Sequence, residues 1–82
     1  MMKEVHSAFD RITFDPAVMG GKACIRGMRI TVNLVLNLLA NGMSLDDVLQ
    51  AYPYLEKEDV MQALRYAAWL SDEMVYDVQV AA

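Results

Sequence analysis

Residues 31–71, TVNLVLNLLANGMSLDDVLQAYPYLEKEDVMQALRYAAWLS, decide the fold. Apolar residues recur in this stretch at helical spacing, and the pattern is cut twice, at Gly42 and at Pro53. A first helix is expected over residues 32–40, with Thr31 as its N-cap and Gly42 just past its end. Its polar residues Asn33, Asn37 and Asn41 fall at i, i+4 and i+8, so they form one narrow stripe on an apolar cylinder. A helix of that kind is buried on nearly all sides. In a small chain this takes the other helices, the segment before them and a second subunit. A second helix starts after Ser44, with Asp46 and Asp47 in its first turn, and Pro53 stops it near Ala51 or Tyr52. A third opens with Glu56, Glu58 and Asp59 and runs to about Ser71. Val60, Ala63, Leu64, Ala67 and Leu70 are expected to face the core, and Glu58, Gln62, Arg65, Trp69 and Asp72 to lie opposite.

Upstream, Arg11-Ile12-Thr13-Phe14 reads as a short strand. Asp15-Pro16 opens a turn, Gly20-Gly21 closes a loop, and Ala23-Cys24-Ile25 is a second strand candidate. Residues 11–31 are therefore expected to form a small hairpin or arm. Residues 1–10 read as an N-terminal tail and 73–82 as an extended C-terminal one, leaving the domain at 11–72. In the C-terminal tail Tyr76, Val78 and Val80 alternate onto one side, as in a strand that another chain can pair with.

Composition narrows the class. At 82 residues with one cysteine, Cys24, and one histidine, His6, the chain has no internal disulfide or Cys/His metal cluster to support a thin core. Self-association is the remaining source of buried surface. No stretch has the apolar length of a membrane span and no apolar leader is present, so a reducing cytoplasm is the expected compartment. The net charge of −4 is uneven. Residues 1–41 carry five basic and three acidic side chains, and residues 42–82 carry two basic and eight acidic ones. This suits head-to-tail pairing, an anionic partner at the basic end, or simply two solvated faces.

The order Ile12, Asp15-Pro16, Gly20-Gly21-Lys22, Ile25-Arg26-Gly27, Arg29-Ile30 and Val32 resembles the domain-of-unknown-function 433 family. The resemblance continues through Leu39-Ala40, Gly42, Ser44, Tyr52-Pro53, Leu55, Asp59-Val60, Ala63-Leu64 and Tyr66-Ala67. Met28 stands where the family usually has threonine, and Ala23-Cys24 replaces a common proline-containing pair. The resemblance implies an all-α, homeodomain-like three-helix (helix-turn-helix) bundle with a small N-terminal β hairpin or arm. It also implies an antitoxin-like role beside a PIN-type nuclease toxin.

No catalytic, metal or cofactor site is expected, and the chain is not read as an enzyme. Gly20-Gly21-Lys22 lacks the spacing of a phosphate loop, and Cys24 has no nearby base. The Asp46-Asp47 and Glu58-Asp59 pairs sit at helix N-termini, where acids are favourable on dipole grounds alone. Helix 3 presents Glu56, Glu58 and Asp59 at the end a helix-turn-helix uses to read DNA, which repels phosphate. Weak DNA contact therefore falls to Arg11, Lys22, Arg26 and Arg29 of the arm, doubled across a homodimer. The competing reading has these arginines paired with helix 3 acids as packing. Trp69 is expected at a partner interface or on the chain's own arm. Trp69, Tyr76, Val78 and Val80 are the candidate partner-binding residues. The functional expectation is an antitoxin-like binding module, and the alternative is a stand-alone dimeric DNA-binding or protein-interaction domain without a toxin.

Overall fold

The computed structural model of the protein describes residues 3–72. Three short strands, β1 (Glu4–Val5), β2 (Ile12–Phe14) and β3 (Cys24–Ile25), precede three helices, α1 (Val32–Ala40), α2 (Leu45–Ala51) and α3 (Lys57–Asp72). The strands make one antiparallel sheet in the order β1-β2-β3, with Glu4 opposite Phe14 and Ile12 opposite Ile25. The expected arm is thus a three-stranded sheet. Residues 4–5, read from sequence as tail, supply its first strand. Two residues cannot display an alternating pattern, so β1 is specified by its partner rather than by its own side chains.

The turn after β3 fixes the sheet's far end. Arg26 and Gly27 both have positive φ, 44° and 75°. The Met28 N–H donates to the Ile25 carbonyl at 2.8 Å, which closes a tight turn of the I′ kind. Glycine adopts this backbone at no steric cost, whereas arginine there is strained and must be held by its surroundings.

The helices begin and end where local chemistry dictates. Thr31 caps α1 by accepting from the Leu34 N–H at 3.0 Å. Ser44 and Asp47 form a reciprocal capping box on α2. Pro53 follows α2 closely, and the turn to α3 is sealed by the Leu55 N–H on the Tyr52 carbonyl. The core joins Ile12 and Ile25 of the sheet to Val32 and Val35 of α1, Val48 of α2, and Leu55, Val60, Ala63 and Tyr66. Cys24 is buried beside them, and burial pushes its thiol up. Among the described residues no helix is long and apolar enough to cross a membrane.

Two expectations about burial change. On α3 the buried stripe is Asp59, Val60, Ala63 and Tyr66, while Leu64 and Leu70 remain 41% and 42% exposed. The N-terminal segment packs on α3 from the side of Gln62, Tyr66 and Trp69, so that side is covered instead of the leucine side. On α1 only Val32 and Val35 are fully buried, and Leu34, Leu36, Leu38 and Leu39 are half-buried. The Asn33, Asn37 and Asn41 stripe is exposed, and Asn37 and Asn41 each donate back to the carbonyl one turn earlier.

These caps and stripes predict two changes of opposite sign. Ser44→Ala should cost about 1 kcal/mol by removing a cap acceptor. Asn37→Ala should gain about 0.5 kcal/mol, since alanine is the better helix former at an exposed site. Urea denaturation of the two variants checks both signs.

Candidate functional site

Among the described residues, the most concentrated polar structure is built around Asp59, whose side chain is fully buried at the third position of α3. Four donors converge on its carboxylate. Arg26 approaches side-on, Nε to Oδ1 at 2.9 Å and Nη2 to Oδ2 at 2.8 Å. Arg11 Nη1 reaches Oδ1 at 2.9 Å, and the Glu56 N–H reaches Oδ2 at 2.8 Å. The last bond is one half of a capping box and explains why an acid belongs at this helical position. The two arginines explain why it can be buried.

The second oxygen-rich group of the cluster is Glu56, which accepts from Arg11 Nη1 at 2.7 Å at the solvent edge. Two guanidinia and two carboxylates therefore balance in charge. Arg26 Nη2 also donates to the Tyr54 carbonyl at 2.9 Å, pinning the α2–α3 turn. These contacts hold Arg26 in its left-handed backbone. Thr13 Oγ1 accepts from the Gly27 N–H at 2.8 Å and completes the turn.

Burial by itself pushes the Asp59 carboxyl up. The hydrogen bonds from Arg26, the Glu56 N–H and Arg11 together outweigh it, and the group titrates below its ordinary value. The arginines are held more firmly charged, Arg11 first by Glu56 and then by Asp59, and Arg26 by Asp59.

Beside this cluster the N-terminal segment is tied to α3 twice more. Gln62 accepts the Arg11 N–H at 2.6 Å and donates to Asp10 at 2.9 Å. Farther along α3, His6 and Phe9 lie against Tyr66 and Trp69 at ring-centroid distances of 5.0–6.0 Å, mostly edge to face. His6 Nδ1 accepts from the Ala8 N–H at 3.0 Å, which identifies the tautomer as the Nε2–H form when the ring is neutral.

Of the four cations expected to meet DNA, Arg11 and Arg26 are brought together, but on Asp59. Lys22 and Arg29 are exposed and make no ion pair among the described residues. Trp69 packs against the N-terminal segment of its own chain and is still 38% exposed. Tyr76, Val78 and Val80 lie outside the described residues. From sequence, Asp59 stands only as a first-turn acid of helix 3, one of those offered as packing partners of the arm arginines, and Gln62 falls on the outer face; His6, Phe9 and Tyr66 have no site role there. Asp59 had one usable signal, its place three residues after the N-cap position of Glu56.

The arrangement defines a class: a three-helix domain whose N-terminal sheet is clamped to the last helix through one buried carboxylate. The chain belongs to the family described as Protein of unknown function (DUF433), whose model matches residues 12–67. That span holds Arg26 and Asp59 and begins one residue after Arg11. The chain is similar to Uncharacterized protein y4eO of Sinorhizobium fredii, with 32% identity over 66 residues. The match covers 80% of this chain and 30% of that protein, so the chain spans under a third of its relative. It is also similar to a solved DUF433 member protein from Anabaena variabilis, with a TM-score of 0.71 and 31% identity. That match covers 78% of this chain and 63% of the other.

Asp59→Asn keeps the shape of the cluster and removes its central charge. It should cost roughly 2–3 kcal/mol, the low end for breaking a buried pair, because both guanidinia can regain water. Arg26→Lys keeps a charge but loses the two-bond contact, and should fall between wild type and Asp59→Asn. The folded-state value of Asp59 lies below its unfolded value. Its contribution is therefore present in full above about pH 5 and is lost as pH falls through the acid range. Urea denaturation between neutral pH and about pH 3 should show wild type losing more stability than Asp59→Asn. Parallel profiles would contradict the assignment.

Proposed function

We propose that the chain is an antitoxin-like binding module that docks a PIN-type nuclease and pairs with itself as a homodimer in the cytoplasm. The observation that carries the reading is the position of the exposed large apolar side chains. Leu64, Trp69 and Leu70 remain 38–42% exposed on the last turns of α3, immediately before the segment that contains Tyr76, Val78 and Val80. Apolar surface left open beside a rigidly clamped helix suits a protein partner better than water. The half-buried leucines of α1, a helix without a charged residue, suit self-association in the same way. The match to part of a longer protein agrees with a module that works as one element of an assembly.

The finer architecture in this reading is homeodomain-like, with α2, the turn at residues 52–56 and α3 as the helix-turn-helix. Its reading end carries Glu56, Glu58 and the buried Asp59, so α3 is not assigned to the major groove. Autoregulatory DNA contact is assigned to Lys22 and Arg29 of a dimer, and is accordingly weak and strongly salt-dependent.

The test is purification of the tagged protein from its native cells with identification of its stoichiometric companions. A basic nuclease in near-equal amount is expected with wild type. It should be lost with Leu64→Glu or with truncation after Ser71, while the circular dichroism melt stays that of a folded domain. Recovery of the homodimer alone would replace this reading with the stand-alone module.

A further inference from the structure

Strand β1 ends the sheet on one side, and only its inner edge is paired among the described residues. His6 donates its N–H to the Ile12 carbonyl at 2.8 Å, so positions 6 and 12 are a hydrogen-bonded pair. Antiparallel pairs alternate, so Glu4 and Phe14 are bonded as well, and Val5 and Thr13 are not. The far side of β2 agrees. The Arg26 N–H reaches the Arg11 carbonyl at 2.8 Å, which turns the main-chain groups of Thr13 toward Cys24 and away from Val5. The N–H and C=O of Val5 therefore point out of the sheet, and its side chain is 51% exposed. An apolar edge residue with both main-chain groups outward is a template for one more strand.

The neighbours of Val5 decide which strand fits. Glu4 and His6 share the sheet face opposite that of Val5. Glu4 is exposed and makes no ion pair among the described residues. The Nε2–H of His6 makes no hydrogen bond among them, and no sealed side-chain polar atom there lacks a partner, so this donor is open to solvent. An antiparallel second copy of β1 can set outward-facing residues opposite one another in two registers. With Glu4 at the centre, Glu4 faces Glu4, and like charges directly opposite are destabilising. With Val5 at the centre, Val5 exchanges two hydrogen bonds with Val5 of the other copy. Glu4 then faces His6 in a close, non-bonded pair, a carboxylate against an imidazole donor. Two-fold symmetry repeats that contact on both sides of the centre.

We infer that β1 of one copy pairs antiparallel with β1 of a second, Val5 opposite Val5, and joins the two three-stranded sheets into one of six strands. This seam rests on the self-association proposed above and gives it a place; nuclease docking is independent of it. The leucines of α1 are the competing surface. The seam is a few residues long, so the dimer is weak and reversible.

The test is sedimentation equilibrium of the full chain over a wide concentration range, beside three variants. Wild type should dimerise. Val5→Pro should stay monomeric with the circular dichroism of a folded domain, because proline is tolerated on an edge strand where the N–H faces away from the sheet. Glu4→Gln should weaken the dimer about fivefold through loss of the charge-assisted contact to His6. Val5→Cys should form a disulfide dimer under mild oxidation, since Cα atoms of a bonded pair lie about 5.5 Å apart. Gln50→Cys, exposed on α2, should not, and Cys24 is buried and takes no part. The crosslink decides the matter even where Val5→Pro disturbs the sheet. A dimer that survives Val5→Pro, with no crosslink at residue 5, overturns the seam and leaves self-association to α1. A monomeric wild type overturns the seam and the homodimer reading together. A dimer strengthened by Glu4→Gln places Glu4 opposite Glu4 and overturns the pairing inferred here.

Discussion

A carboxylate buried in a domain this small requires donors on every side, and the position of Asp59 organises the structure by recruiting them. Its partners come from three places: Arg11 before β2, Arg26 in the turn after β3, and the backbone of Glu56 at the start of α3. The sequence separations are 48 and 33 residues for the two arginines. One charge thus orients the sheet, the α2–α3 turn and the last helix with respect to one another. Well-packed apolar residues can match a buried ion pair in energy. What they lack is direction, and here direction holds an arginine in a strained left-handed backbone and sets where the arm lies.

Once the arm is placed, the rest of α3 follows. Gln62 bonds Arg11 and Asp10, and Tyr66 and Trp69 receive Phe9 and His6. That leaves Leu64 and Leu70 outside. The apolar surface left open on α3 is therefore a consequence of the clamp. Two of the four arm cations are consumed by it as well, which leaves Lys22 and Arg29 as the basic side chains of the arm free of ion pairs among the described residues.

What was legible in the sequence was local. Thr31 and Ser44 are cap residues wherever they precede an apolar helical pattern, and Pro53 ends a helix by sterics alone, so the starts of α1 and α2 were legible and the end of α2 was bracketed to Ala51 or Tyr52. The existence of β2 and β3 was legible in Ile12-Thr13-Phe14 and Cys24-Ile25. What was hidden was long-range. An acid in the first turn of a helix is ordinary, and only its place three residues after Glu56 separates the buried Asp59 locally from the exposed Glu58, with nothing local to show that it is buried. Strand β1 is made by pairing rather than pattern. The face of α3 that is buried depends on a segment more than fifty residues earlier, so helical periodicity placed Leu64 and Leu70 inside and missed Tyr66. For the arginines, both packing and DNA contact were open from composition, and coordinates were needed to locate Arg11 and Arg26 on Asp59.

Native-state hydrogen exchange on Asp59→Ala tests the organising role of this carboxylate most directly. The amides of Ile12, Ile25, Arg26 and Gly27 donate within the sheet and its turn, whereas those of Val48 and Tyr52 donate within α2. The account predicts that the sheet amides lose protection far more than the α2 amides, because the clamp sets the position of the arm and α2 does not depend on it. A uniform loss across all six amides would mean that Asp59 contributes general stability only, and would contradict the account.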